Sequence, residues 1–170
     1  EGGVLPTSDA EILEGVFEFS EKNAREVMTP RTAIVAIAAE ASLDEAVDAV
    51  EEAGFSRYPV YRDTIDDIVG MVHAKDLLKV LARRPAEFAL ESILRPVHVV
   101  PGSREVEEVL ADFKRRKEHL AIVLDEYGGT AGMVTMEDLL EEIVGEILDE
   151  YDDAPAPALD AGAKGARLVP

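Results

Sequence analysis

The chain contains no cysteine, which excludes disulfides, thiol catalysis and cysteine-based zinc sites, and weakly favours a reducing compartment. It is also poor in positive charge: 17 Lys and Arg stand against 36 Asp and Glu, for a formal net charge of −19. Such a field repels nucleic acid and anionic lipid surfaces, so no nucleic-acid partner is expected, and an anionic ligand must find a local basic pocket or bring a cation. No apolar run approaches the roughly 20 residues needed to span a bilayer, and no stretch at the start reads as a signal peptide, so a soluble chain is expected. His73, His98 and His119 have neither H-x-x-x-H spacing nor cysteine partners, which argues against a zinc centre. A phosphate-binding glycine-rich loop, a nucleophile elbow and a triad are missing too, so the chain is not read as an enzyme.

What is present is enough apolar material, 47% of 170 residues, for one ordinary core or two small ones. Residues 1–23 read as a connecting helix, which suggests one part of a larger protein. Residues 152–170 begin as a Pro/Ala linker, and their final GARLVP is either the first strand of a further domain or a cloning remnant. Between these ends the sequence repeats. Val27-Met28-Thr29-Pro30 recurs as Ile93-Leu94-Arg95-Pro96, and the stretch from Gly70-Met71-Val72 to Asp76-Leu77-Leu78 recurs as Gly132-Met133-Val134 to Asp138-Leu139-Leu140. The second offset is the shorter, so residues are deleted between the landmarks, most simply where RDTIDD in one copy faces DEYGG in the other. The expected division is 24–84 for the first copy and 85–151 for the second.

Each copy reads as strand, helix, strand, strand, helix, an α/β (α+β) pattern. In the first, Ile34 to Ile37 is a strand, Ser42-x-x-Glu45 is a capping box, Tyr58 to Tyr61 and Ile68 to Val72 form a hairpin, and Lys75 to Leu81 a helix. In the second, Val97 to Val100 precedes a helix with Val106, Val109, Leu110 and Phe113 on one face. His119 to Leu124 and Thr130 to Val134 follow, then a helix whose Met136, Leu139, Leu140, Ile143, Val144 and Ile147 make a wide apolar stripe. Each copy has a sheet face too large to bury alone, so the two should pair about a pseudo-twofold axis, which creates two related clefts.

Three stretches, Arg25-Glu26-Val27-Met28-Thr29-Pro30-Arg31-Thr32, Phe55-Ser56-Arg57-Tyr58-Pro59-Val60-Tyr61 and Val123 to Asp138 (VLDEYGGTAGMVTMED), together with the ending EEIVGEI, resemble tandem cystathionine-beta-synthase (CBS) domains, the Bateman module. More specifically they are similar to the intracellular part of the CorC/HlyC and cyclin M magnesium-transport family. That resemblance implies two packed repeats, a disc-like homodimer of paired modules, and a position on the cytoplasmic side of the membrane beneath a membrane domain. It also implies regulation by bound adenine nucleotide, ATP (or ADP or AMP) with Mg²⁺. Asp138 would accept from both ribose hydroxyls with Thr135 beside it, an ionised acceptor being the stronger partner for vicinal hydroxyls. Adenine would lie between Ile34 or Val35 and Met133. Phosphates would reach Thr29, Arg31 and Arg57, with Thr32, Ser56, Tyr58 and Pro59 in the flanking segments. The second cleft departs from this pattern, since His73 replaces the hydroxyl residue before Asp76, and Arg95 stands where Thr29 stood. With His98, these define a weaker, non-equivalent cleft.

Blander readings stand beside these. Thr135 and Asp138 can simply cap a helix, worth roughly 0.5–2 kcal/mol, and capping can coexist with ribose binding. Arg31 and Arg57 can be ordinary surface arginines, and Met133 and Ile34 core residues. The acidic series Glu137, Glu141, Glu142, Glu146, Asp149, Glu150, Asp152 and Asp153 is most simply a solvated face; the sharper alternative docks it on the membrane domain or has it collect Mg²⁺, though no calcium-loop spacing occurs and no metal ligands are assigned. The competing function is a structural dimerisation module with an empty cleft; ATP turnover ranks last.

Overall fold

The structure, a computed structural model, describes residues 21–151. The connecting helix expected before these residues, and the Pro/Ala segment after them, lie outside the described residues. In the first copy, β2 (Ile37–Ala38), α2 (Leu43–Ala53), β3 (Arg57–Arg62), β4 (Thr64–His73) and α3 (Ala74–Arg83) follow in the expected order, after a short helix α1 (Ala24–Val27) and a two-residue strand β1 (Thr29–Pro30). The second copy has β5 (His98–Pro101), α4 (Val106–Arg116), β6 (Leu120–Leu124), β7 (Thr130–Thr135) and α5 (Met136–Tyr151).

Local chemistry explains the helix ends. Ser42 Oγ accepts from the Glu45 N–H at 3.1 Å while Glu45 Oε1 accepts from the Ser42 N–H at 3.0 Å, so two orphan donors at the start of α2 are satisfied reciprocally. The helix stops at Gly54, whose φ of 78° is the left-handed conformation that suits glycine. α1 starts with the same device, built from Asn23 and Glu26. In both copies the helix α2 or α4 carries the chain between parallel neighbours, β2 with β3 and β5 with β6, as parallel pairing requires.

The sheets are not closed within their copies. β1 pairs antiparallel with β7, Thr29 opposite Met133 and Pro30 opposite Gly132, giving the order β1-β7-β6-β5. Reciprocally, Arg95 and Met71 exchange backbone hydrogen bonds of 2.9 and 2.8 Å at the edge of the β2-β3-β4 sheet. The segment leading into each copy is therefore stitched to the other, and these stitches are related by the sequence repeat. Glycine makes both approaches feasible. A Cβ at Gly132 would overlap the Thr29 carbonyl oxygen and lie 2.6 Å from Met28 Sδ, and one at Gly70 would lie 2.9 Å from the Arg95 carbonyl oxygen.

Strand alternation then sorts three cores. In β6, Ala121 and Val123 face Val106, Val109, Phe113 and Leu139, while Leu120 and Ile122 turn to a separate cluster with Met71, Ile68 and Met133. β6 is thus covered on both faces, by its own helices on one and by the sister copy on the other. The first copy's helix-side core gathers Ile37, Ala46, Tyr58, Val60, Val72, Leu77 and Leu90.

The first strand is shorter than the sequence reading has it. Residues Arg31–Ala33 form a 3-10 turn and Ile34 is its extended C-cap, so only Ile37–Ala38 reaches a partner, at Val60 and Tyr61. The apolar run is genuine but turns a corner before it finds a strand to pair with.

Candidate functional site

β7 ends at Thr135, and α5 begins on the next residue. Thr135 Oγ1 accepts from the Asp138 N–H at 3.1 Å, so the capping expected from T-x-x-D is present. The Asp138 carboxylate is half-buried. Burial pushes its pKa above the usual carboxylate value, with Glu141 and Glu137 adding to the effect, while hydrogen bonds from the Thr135 hydroxyl and N–H pull it back. Among the described residues no cation pairs with it. A desolvated carboxylate held at a helix start without a counter-charge is an acceptor with capacity to spare.

Residues of the first copy come to it. The β1–β7 register sets Thr29 opposite Met133, two positions before Thr135. Arg57, at the start of β3, reaches across so that its Nη1 is 3.4 Å from Glu137 Oε2, next to Asp138. Ser56 and Thr32 are exposed, and Ile34 and Val35 half-buried. Val35 packs on the first core.

Other expected site residues have different duties. Tyr58 is fully buried, with its hydroxyl accepting from the Phe55 N–H at 2.6 Å and donating to the Val50 carbonyl, so its side chain serves the core. Pro59 is buried beside it. Arg31 is spent on a tie between copies: Nη1 lies 2.6 Å from Asp66 Oδ1 and 3.0 Å from the Thr130 carbonyl, and Asp66 also accepts from the Thr130 N–H. His98 turns to α4, where its Nε2 is 3.1 Å from Asp112 Oδ2. Asp112 is 1% exposed and also receives Arg104 through two nitrogens at 2.8 and 2.9 Å and Arg115 at 3.0 Å, which together hold its pKa well below the usual carboxylate range.

The second cleft differs in charge. Arg95 Nε is 2.9 Å from Asp76 Oδ2 and Nη2 3.4 Å from Oδ1, a fork that occupies the carboxylate corresponding to Asp138 and lowers its pKa. Beside this pair is a cavity of about 190 Å³ lined by Arg57, Met71, His73, Arg95, Lys117 and His119 among others. Sequence reasoning did not mark Lys117 or His119 for this cleft, although His119 holds the repeat position of Ser56, its carbonyl accepting from the Met136 N–H as that of Ser56 accepts from the Ala74 N–H.

These features place the chain in the class of paired α/β repeats with clefts between the copies. The model of the CBS domain matches residues 24–83 and 90–145, and the chain belongs to that family. It is 46% identical over 150 residues to a magnesium and cobalt efflux protein CorC of Pasteurella multocida (strain Pm70), covering 88% of this chain and 50% of that protein. A CorC of Vibrio cholerae serotype O1 is 46% identical over 143 residues, 84% of this chain and 49% of that protein. The chain thus spans about half the length of these relatives. Among solved structures, the CBS domain of a bacterial CNNM/CorC family Mg²⁺ transporter in complex with ATP superposes with a TM-score of 0.74 at 43% identity, covering 81% of this chain and 97% of the other. A CBS-domain pair with bound AMP from Klebsiella pneumoniae gives 0.63 at 31% identity, covering 73% and 99%.

Proposed function

We propose that the module is a sensor that binds an adenine nucleotide, ATP with Mg²⁺, in the Asp138 cleft and so sets the state of a membrane domain in a larger divalent-cation transporter. The observation that carries this is the contrast between two equivalent carboxylates: Asp76 is neutralised by Arg95, whereas Asp138 is desolvated and, among the described residues, without a cation. The relatives crystallised with ATP and AMP support the nucleotide class. Asp138 takes the ribose hydroxyls, Ile34 or Val35 and Met133 frame the adenine, Thr29 reaches the phosphates, and Arg57 exchanges its long contact with Glu137 for phosphate. Arg31 joins it by releasing Asp66. Mg²⁺, a hard cation that takes phosphate oxygens, arrives on the phosphates.

The domain division 24–84 and 85–151 follows this reading, and so does homodimerisation. Leu78 and its repeat partner Leu140 are exposed, at 62% and 48%, and Val144 and Leu148 extend the patch along α5. The module would sit on the cytoplasmic side, coupled to the membrane domain. Nucleotide shifts such an equilibrium only by its differential affinity for the two states. Thermal melting with ATP, ADP or AMP, with and without Mg²⁺, tests this. A ligand at about 100 times its Kd adds roughly 2.7 kcal/mol, and Asp138→Ala abolishes the gain. A melt unmoved by any nucleotide makes the module a dimerisation scaffold; a shift that survives Asp138→Ala moves the site elsewhere.

A further inference from the structure

In a chain of net charge −19, the cavity beside Asp76 is a local reversal of sign. Arg57, Arg95 and Lys117 line it together with His73 and His119. Glu118, the carboxylate on the same wall, is held by Arg116 Nε at 3.0 Å, and Asp76 is already held by Arg95. Lys117 has no ionic partner among the described residues. Among the described residues two buried side-chain nitrogens lack any hydrogen-bond partner, Arg57 Nε and His119 Nδ1, and both belong to residues lining this cavity. Buried polar atoms are almost always satisfied, so two orphans on residues that line one small cavity call for a group that can bond to them once these side chains turn toward it. His73 feels the same environment: burial first, then the charges of Arg95 and Arg57, hold its pKa below the usual imidazole value.

Size and chemistry narrow the occupant. About 190 Å³ is below the roughly 300 Å³ at which pockets begin to enclose drug-sized molecules, and Arg95 closes off the carboxylate a ribose would need. We infer that this cavity is a site for a phosphate-type oxyanion, bonded by Arg57, His119 and Lys117, and not a second nucleoside cleft. For free inorganic phosphate the site does not depend on nucleotide binding at Asp138. Its phosphate can come from free inorganic phosphate or from the tail of a nucleotide seated in the neighbouring cleft, because Arg57 borders both.

The test follows the ring signals of His73 and His119 by NMR during titration with sodium phosphate, against sodium chloride at matched ionic strength, in the wild type and in Asp138→Ala. Saturable shifts of both rings with phosphate alone, in both proteins, are expected. Shifts seen only with ATP, and lost in Asp138→Ala, also support the site and identify the nucleotide tail as the source. Lys117→Gly is the companion variant: Lys117 sits at φ 56° after α4, where glycine is at ease, so the fold is kept while the charge goes. It should weaken phosphate by about tenfold or more, the size of one lost charge-assisted bond, and His119→Gln should weaken it too. The inference is overturned if neither phosphate nor ATP moves the rings, if chloride moves them equally, or if both variants bind phosphate as the wild type does.

Discussion

Gly132→Ala is the perturbation that most directly tests how the two copies are stitched together. The added methyl would overlap the Thr29 carbonyl oxygen and stand 2.6 Å from Met28 Sδ and 2.9 Å from its Cγ. The thioether can swing aside, but the carbonyl cannot, since Thr29 is paired with Met133 on the same strand. Restoring ordinary contact needs a retreat of about 1 Å by β1, enough to break ladder bonds set near 2.9 Å. Overpacking costs about 1–3 kcal/mol and each lost backbone bond about 1 kcal/mol, so a loss of roughly 2–4 kcal/mol is expected. Gly145→Ala is the control, because among the described residues nothing lies within 4 Å of its Cβ position inside α5; there the change should add up to about 1 kcal/mol by helix propensity. Urea unfolding of both variants with nucleotide absent gives the comparison. A Gly132→Ala protein within about 0.5 kcal/mol of wild type, the ordinary scatter of surface changes, would show that β1 is not pinned to β7, and the cleft built on that pairing would fall with it.

Two further outcomes follow from the cores and the buried network. Asp112→Asn removes the negative charge and one of the two acceptor oxygens shared by Arg104, Arg115 and His98 and should cost about 3 kcal/mol at neutral pH, the lower end for breaking a buried pair, since both arginines keep some contact with water. Its native pKa is depressed, so the stability it contributes is present above the unfolded carboxylate value near 3.9 and is lost as pH falls below it. Acid titration of stability should therefore be shallower in Asp112→Asn, and equal slopes would refute the assignment. Leu120→Ala, at a residue 1% exposed between the copies, should cost 2–5 kcal/mol in chemical unfolding; a loss under about 1 kcal/mol would mean that the sister copy does not seal that face of β6.

Much of this molecule is written in short-range sequence. The repeat shows in the sequence laid against itself, and the capping box of Ser42 with Glu45, the alternation in β6 and the T-x-x-D start of α5 all act through groups three or four residues apart or on one strand, so their chemistry is visible without coordinates. Pattern could also say that each copy needs a second, because a half-covered sheet cannot stand alone. Tertiary structure alone decided where charges find their partners. Arg95 closes on Asp76, Arg31 on Asp66 and His98 on Asp112, while Tyr58 goes to the core and β1 joins the other copy's sheet. The physical reason is one of distance along the chain: caps and alternation are set by neighbours, whereas an ion pair forms between whichever opposite charges the packed sheets bring within reach, and no local pattern encodes that meeting.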